Sequence, residues 1–159
     1  MKNICFFFTL FTLLSCDNSN TEESSDNIDN AIEFSIFNSQ NGDLLDSKNP
    51  NSLDISNIKL FYVVNGGKQE VYNQNLTYPR NFKVFKHENE YRIRVFLNNT
   101  ETTDKPITYI QWNSSDTDTI EATFERTERS ILKNKVWLNG NQVWERGNNT
   151  IASYFALTK

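Results

Sequence analysis

One histidine, two cysteines, three prolines and five glycines are all that 159 residues carry of these types, and each scarcity closes off some chemistry. Both cysteines, Cys5 and Cys16, lie near the start, so residues 17–159 form no disulfide among themselves and hold no thiolate nucleophile. His87 alone makes no recognisable zinc site, and no Gly-x-Ser-x-Gly turn exists to strain a serine into place beside it. It falls at the corner of an expected hairpin next to Glu88, where a surface-loop role accounts for it. Any metal would have to be oxygen-bound, and no cofactor or catalytic residue is expected. Basic residues are outnumbered 16 to 20 and form no basic domain, which removes nucleic acid as a partner. No apolar run approaches the roughly 20 residues that span a bilayer.

What is present points to strands. Twelve Phe, six Tyr and three Trp accompany abundant Asn, Ser and Thr, a composition suited to a β-rich exported domain. From Ala31 onward apolar residues recur with period two between turn residues, and no segment has a convincing helical period. Ile32, Phe34 and Ile36 define a first strand. Residues 58–64 are apolar nearly throughout, as a strand covered on both faces would be. Asn65-Gly66-Gly67 turns that strand back. Residues 82–86 and 90–97 predict a hairpin about Glu88-Asn89, with Phe82, Val84, Ile93 and Val95 on one face and Lys83, Arg92 and Arg94 on the other. Residues 107–112 and 118–125 predict a further pair, residues 132–138 and 142–145 a hairpin about Asn139-Gly140, and residues 150–157 a last strand. Nine or ten short strands at this spacing imply an all-β fold, an antiparallel β-sandwich.

The start of the chain carries an address. Lys2 gives a small positive n-region, residues 4–14 an apolar core too short to cross a membrane, and Leu13-Leu14-Ser15-Cys16 closes it. That ending resembles the lipobox of bacterial lipoproteins, which implies cleavage before Cys16 and acylation of its sulfur. Residues 1–15 are then a signal peptide. Residues 16–159 keep fifteen of the sixteen basic residues and all twenty acidic ones, a net charge of −5. Residues 17–30 hold Asp17, Glu22, Glu23, Asp26 and Asp29 against Ile28 as the one hydrophobic residue, which cannot offset the entropy of ordering. They read as a disordered acidic tether with a reach of about 20 Å. Residues 31–159 read as the sandwich.

A second resemblance covers most of the chain. Gly42-Asp43-Leu44-Leu45-Asp46, Asn49-Pro50 and Ile58-Lys59-Leu60-Phe61-Tyr62, with Asp118-Thr119-Ile120, Lys135-Val136-Trp137-Leu138-Asn139-Gly140 and Val143-Trp144 near the end, are similar to small envelope lipoproteins of the Bacteroidota. Asp17, Glu22 and Glu23 are similar in kind to the export signal such proteins carry behind the acylated cysteine. The resemblance implies an immunoglobulin-like or transthyretin-like sandwich held in the cell envelope at the outer membrane, with the face left open. It assigns no catalytic residue.

Candidate chemistry is sparse. Asp116, Asp118 and Glu121 carry carboxylates for calcium but lack the glycine and loop frame of a calcium site, and a satisfied turn explains them. Asn41, Asp43 and Asp46 fit as caps on backbone amides, and glycosidase carboxylates would need a deeper cleft than so small a domain builds. The sharpest local pattern is Trp137 and Trp144 about the Asn139-Gly140 turn. With the turn at Asn139-Gly140, Trp137 faces Gln142 and Lys135 faces Trp144; with it at Gly140-Asn141 the tryptophans pair directly. Either register puts both on the face of Lys133 and Lys135, away from Leu132, Val136 and Leu138. Trp137, Trp144, Lys135 and Gln142 are thus a candidate binding face for a glycan or an envelope protein, or else a packed hairpin with lysine stems over its rings. The expected function is a membrane-anchored, non-catalytic binding module, with a structural or assembly role as the alternative and a small hydrolase ranked last.

Overall fold

Alternation along residues 31–37 places Ile32, Phe34 and Ile36 on one fully buried face, and two sheets close over that face. The computed structural model describes residues 26–148 and 153–159. The expected signal peptide, Cys16 and the first part of the tether lie outside the described residues, as do residues 149–152. Eleven strands occur among the described residues: β1 (Asn27–Asp29), β2 (Ala31–Phe37), β3 (Lys59–Val64), β4 (Gly67–Glu70), β5 (Phe82–His87), β6 (Glu90–Phe96), β7 (Ile107–Gln111), β8 (Thr117–Arg126), β9 (Ser130–Leu138), β10 (Asn141–Glu145) and β11 (Tyr154–Thr158). The one helical element among them is a 3₁₀ turn at Ile55–Asn57, capped by the Asp54 carboxylate.

One sheet runs β1-β9-β8-β7-β3-β4, with β10 beside the last residues of β9 where β1 lies beside its first. The other runs β11-β2-β6-β5. The expected all-β sandwich is therefore present. Its sheets are antiparallel except for β1 with β9 and β11 with β2. Both exceptions involve residues 27–37, which pair in one sheet as β1, pass Asn30, and pair in the other as β2. Asn30 braces that crossing by donating its side-chain amide to the Leu97 carbonyl, 3.2 Å away.

Between the sheets, Phe34 stacks on Phe155 at 4.7 Å and meets Trp112 edge-on at 6.1 Å. Leu44 and Leu45 plug one end from a loop, and Asp43 fixes that loop by accepting from the backbone amides of Leu45 and Tyr91. The expected caps at Asp43 and Asp46 are both found, the latter on the Lys48 amide. Asn139 and Gly140 have φ of 50° and 81°, the left-handed pair that a two-residue hairpin turn needs. β3 departs from expectation: its neighbours are β7 and the edge strand β4, and only Leu60 is buried within it, so its outer face is half-covered.

The ordered part of the domain begins before Ala31, which corrects the tether boundary drawn at residue 30. Residues 27–29 pair with residues 130–132, and Asp29 takes ion pairs from Lys133 and Arg146. Backbone pairing and those two cations order a segment whose composition alone has too little to bury.

Candidate functional site

The β9–β10 hairpin begins as the turn predicts, with Trp137 opposite Gln142. The register then shifts between Gln142 and Trp144, so Trp144 opposes Val136 in place of Lys135. That one-residue bulge at Val143 carries Trp144 to the other side of the sheet, where it is 6% exposed. The expected shared face of Trp137, Trp144, Lys135 and Gln142 is therefore not formed. Trp137, Lys135 and Gln142 remain outside, but Lys105 lies 3.9 Å over the Trp137 ring, and Glu145 takes both the Lys135 ammonium at 2.9 Å and the Gln142 amide at 3.0 Å. On the same outer surface Lys68 covers Phe61 and Tyr109, at 4.2 and 4.9 Å from the ring centres. These aromatics are capped by lysines.

A second irregularity, between Thr123 and Phe124, sets Thr123 opposite Lys135 and Phe124 opposite Lys133, so Asn134 is the extra residue. Lys133 was expected outside with Lys135, and the bulge turns it inward to 0% exposure. Its ammonium donates to Asp29 Oδ1 at 3.0 Å, the Ala31 carbonyl at 2.6 Å and Ser153 Oγ at 3.0 Å, and sits 4.6 Å from the Trp144 ring. Arg146 closes the arrangement through Asp29 and the Lys133 carbonyl. Burial pushes the Lys133 pKa below its ordinary value against the opposing pull of Asp29. All its partners are structural, joining β1, β2 and the start of β11.

The acidic candidates have structural partners too. Asp116 and Asp118 both hold the Lys159 ammonium at 2.8 Å, and Asp118 also accepts from Trp112 Nε1 at 2.7 Å and Asn139 Nδ2 at 2.8 Å. Glu121 points elsewhere, paired across the sheet with Ile107 and Trp137. Burial pushes the Asp118 carboxyl upward, but Lys159, Asn139 and Trp112 outweigh it and hold its pKa below the ordinary 3.8. A lowered carboxylate pKa contributes stability above the unfolded value that is lost as pH falls through the folded one. Urea unfolding between about pH 5 and pH 2 should show a stability loss that Asp118→Asn flattens, and an equally steep loss in the variant would refute this account. His87 ends β5 opposite Glu90, beside the Glu88-Asn89 turn, as its sequence position suggests. Among the described residues no group of three or more His, Cys, Asp or Glu side chains is placed to hold a metal.

A concave surface lies at the other edge of the sandwich. Residues 71–81 cross from β4 to β5, braced by Asn73 donating to the Pro79 carbonyl at 2.8 Å and Leu76 to the Asn73 carbonyl at 3.1 Å. Arg80 ties this loop to the 3₁₀ turn by donating to the carbonyls of Ser56 at 2.7 Å and Ile58 at 3.2 Å. Between loop, turn and β5 runs a groove of about 490 Å³ lined by Ile55, Tyr72, Tyr78, Arg80, Phe82 and Lys83, among others. Tyr78 is a wall of it and stacks on Phe96 at 6.1 Å, and beyond it a smaller hollow of about 260 Å³ opens beside Leu76. Tyr72 and Leu76 are 64% and 47% exposed, far more than large apolar residues usually are. Among the described residues no carboxylate lines the groove, whose charged residues are Arg80 and Lys83.

Pattern reading missed this site because its parts come from residues 55–56, 72, 77–80 and 82–84. One local signal was available: Leu76 and Tyr78 are large apolar residues in a segment with no strand period, so they have no inward face to occupy, whereas Tyr72 is expected to end a strand over residues 68–72 and lies beyond that strand's last residue, Glu70. No family model, curated protein or solved structure matches the chain.

Proposed function

We propose that the chain is an envelope lipoprotein, anchored through acylated Cys16, that displays its sandwich as a non-catalytic binding module for a glycan or a protein. The groove beside β5 is its binding site. The carrying observation is the exposure of Tyr72 at an aromatic groove with two cations and, among the described residues, no acid lining it, beside a smaller hollow where Leu76 is exposed. This supports a recognition role in preference to assembly through a flat apolar sheet, since the outer-face aromatics Phe61, Tyr109 and Trp137 are capped by lysines. The anchoring half of the reading rests on Leu13-Leu14-Ser15-Cys16. Two attached chains hold a soluble domain durably, at about 0.8 kcal/mol per buried methylene.

The two halves are tested separately. Cys16→Ser is expected to abolish incorporation of an alkyne fatty acid and release the protein from membranes. Wild-type protein that takes up no label would end the lipoprotein reading. For the groove, wild type and Tyr72→Ala are compared on arrays of defined glycans and defined peptides. At so exposed a position the substitution should alter stability by less than about 0.5 kcal/mol. It should weaken a wild-type ligand by about tenfold or more. Equal binding by both proteins, or no ligand for either, would count against the groove.

A further inference from the structure

Resting on the groove as the binding site, we infer that its occupant is an extended, acidic peptide segment that pairs with the open edge of β5 as an added strand. Phe96 N donates to the Asn81 carbonyl at 3.0 Å, and Phe82 pairs with Val95 in the next position. In an antiparallel ladder the hydrogen-bonding direction alternates, so Lys83, Phe85 and His87 turn their backbone groups toward β6, while Phe82, Val84 and Lys86 turn theirs to the outer edge. β5 ends its sheet, and no backbone partner meets that edge among the described residues. Phe82 and Val84 line the groove as well. Unpaired backbone groups and apolar side-chain sites therefore lie together, which is what strand addition uses for affinity and for selectivity.

Charge selects the partner. The chain is net acidic, yet Arg80 and Lys83 line the groove and Lys86 follows on the same edge strand, and none of the three is ion-paired among the described residues. Arg80 bonds only to carbonyls, and Lys83 rests against the rings of Tyr78 and Phe85 at 5.3 and 5.1 Å. Lysines on an edge strand also deter pairing between copies of that strand. The same charges repel a second β5 and attract a carboxylate-bearing strand, so they specify the partner and guard the edge at once. The fitting segment alternates apolar residues, for the groove over Phe82 and Val84, with glutamate or aspartate.

The probe is a blocked short peptide alternating valine with glutamate, titrated by fluorescence anisotropy against the full chain in detergent. Three further probes are the lysine-for-glutamate version, a version N-methylated at alternate backbone nitrogens, and an oligogalacturonate. Binding of the glutamate peptide, weakened about tenfold or more both by the charge swap and by N-methylation, is the expected result. Lys86→Pro removes an outward N–H without touching the β6 ladder, so it should keep the fold and lose the peptide. Equal binding of the N-methylated peptide would overturn strand addition while leaving a side-chain groove. Binding of the oligogalacturonate alone would overturn the peptide and leave the groove as a glycan site. Failure of every probe would overturn the inference, and the Tyr72→Ala arrays then decide the groove independently.

Discussion

Lys133→Ala is expected to lower the free energy of unfolding by about 3 kcal/mol, near the foot of the range for removing one partner from a buried ion pair. The foot applies because Asp29 is 38% exposed and keeps Arg146 at 3.2 Å. What remains unpaired is the Ala31 carbonyl and the Ser153 hydroxyl, which Lys133 reaches at 2.6 and 3.0 Å. A buried polar group left without a partner costs about 1–3 kcal/mol. Lys133→Met keeps the aliphatic stem and should recover the packing share of the loss but not the polar share. Urea denaturation of wild type and both variants gives the comparison. If alanine cost less than about 0.5 kcal/mol, like an ordinary surface change, the ammonium would have no part in holding β1, β2 and β11 together.

Most strands were legible because they rest on local alternation. Turns at Glu88-Asn89 and Asn139-Gly140 fall where expected, and Phe82, Val84, Ile93 and Val95 share a face through the register between β5 and β6. Bulges were not legible. Val143 and Asn134 carry no compositional mark, yet each reverses the facing of what lies beyond it, sending Trp144 and Lys133 inward. A period-two reading propagates one wrong face from such a point onward. Order at residues 27–29 was hidden for another reason: an edge pairing and two cations from residues 133 and 146 hold them, and neither shows in local hydrophobicity. Parallel placement of β1 and β11 likewise depends on where the chain crosses between sheets, which strand patterns do not encode.

Trp144 and Trp137, seven positions apart about one turn, should respond oppositely to truncation. Trp144 packs in the core cluster under the Lys133 ammonium, so Trp144→Ala removes a buried indole and is expected to cost about 3–5 kcal/mol. Trp137 stands outside with Lys105 over its ring, and Trp137→Ala should cost less than about 1 kcal/mol, the scale of an exposed cation–π contact. Trp144→Phe separates size from polarity. Its indole N–H has no hydrogen-bond partner among the described residues, so phenylalanine keeps most of the ring and leaves no donor stranded. That change should cost less than about 1.5 kcal/mol. Because Lys133 and Trp144 touch, their alanine losses should also fail to add, departing from the sum by about 0.5–3 kcal/mol in the double variant. Equal losses at Trp137 and Trp144 would mean that both rings share a face, and that the bulge at Val143 does not form.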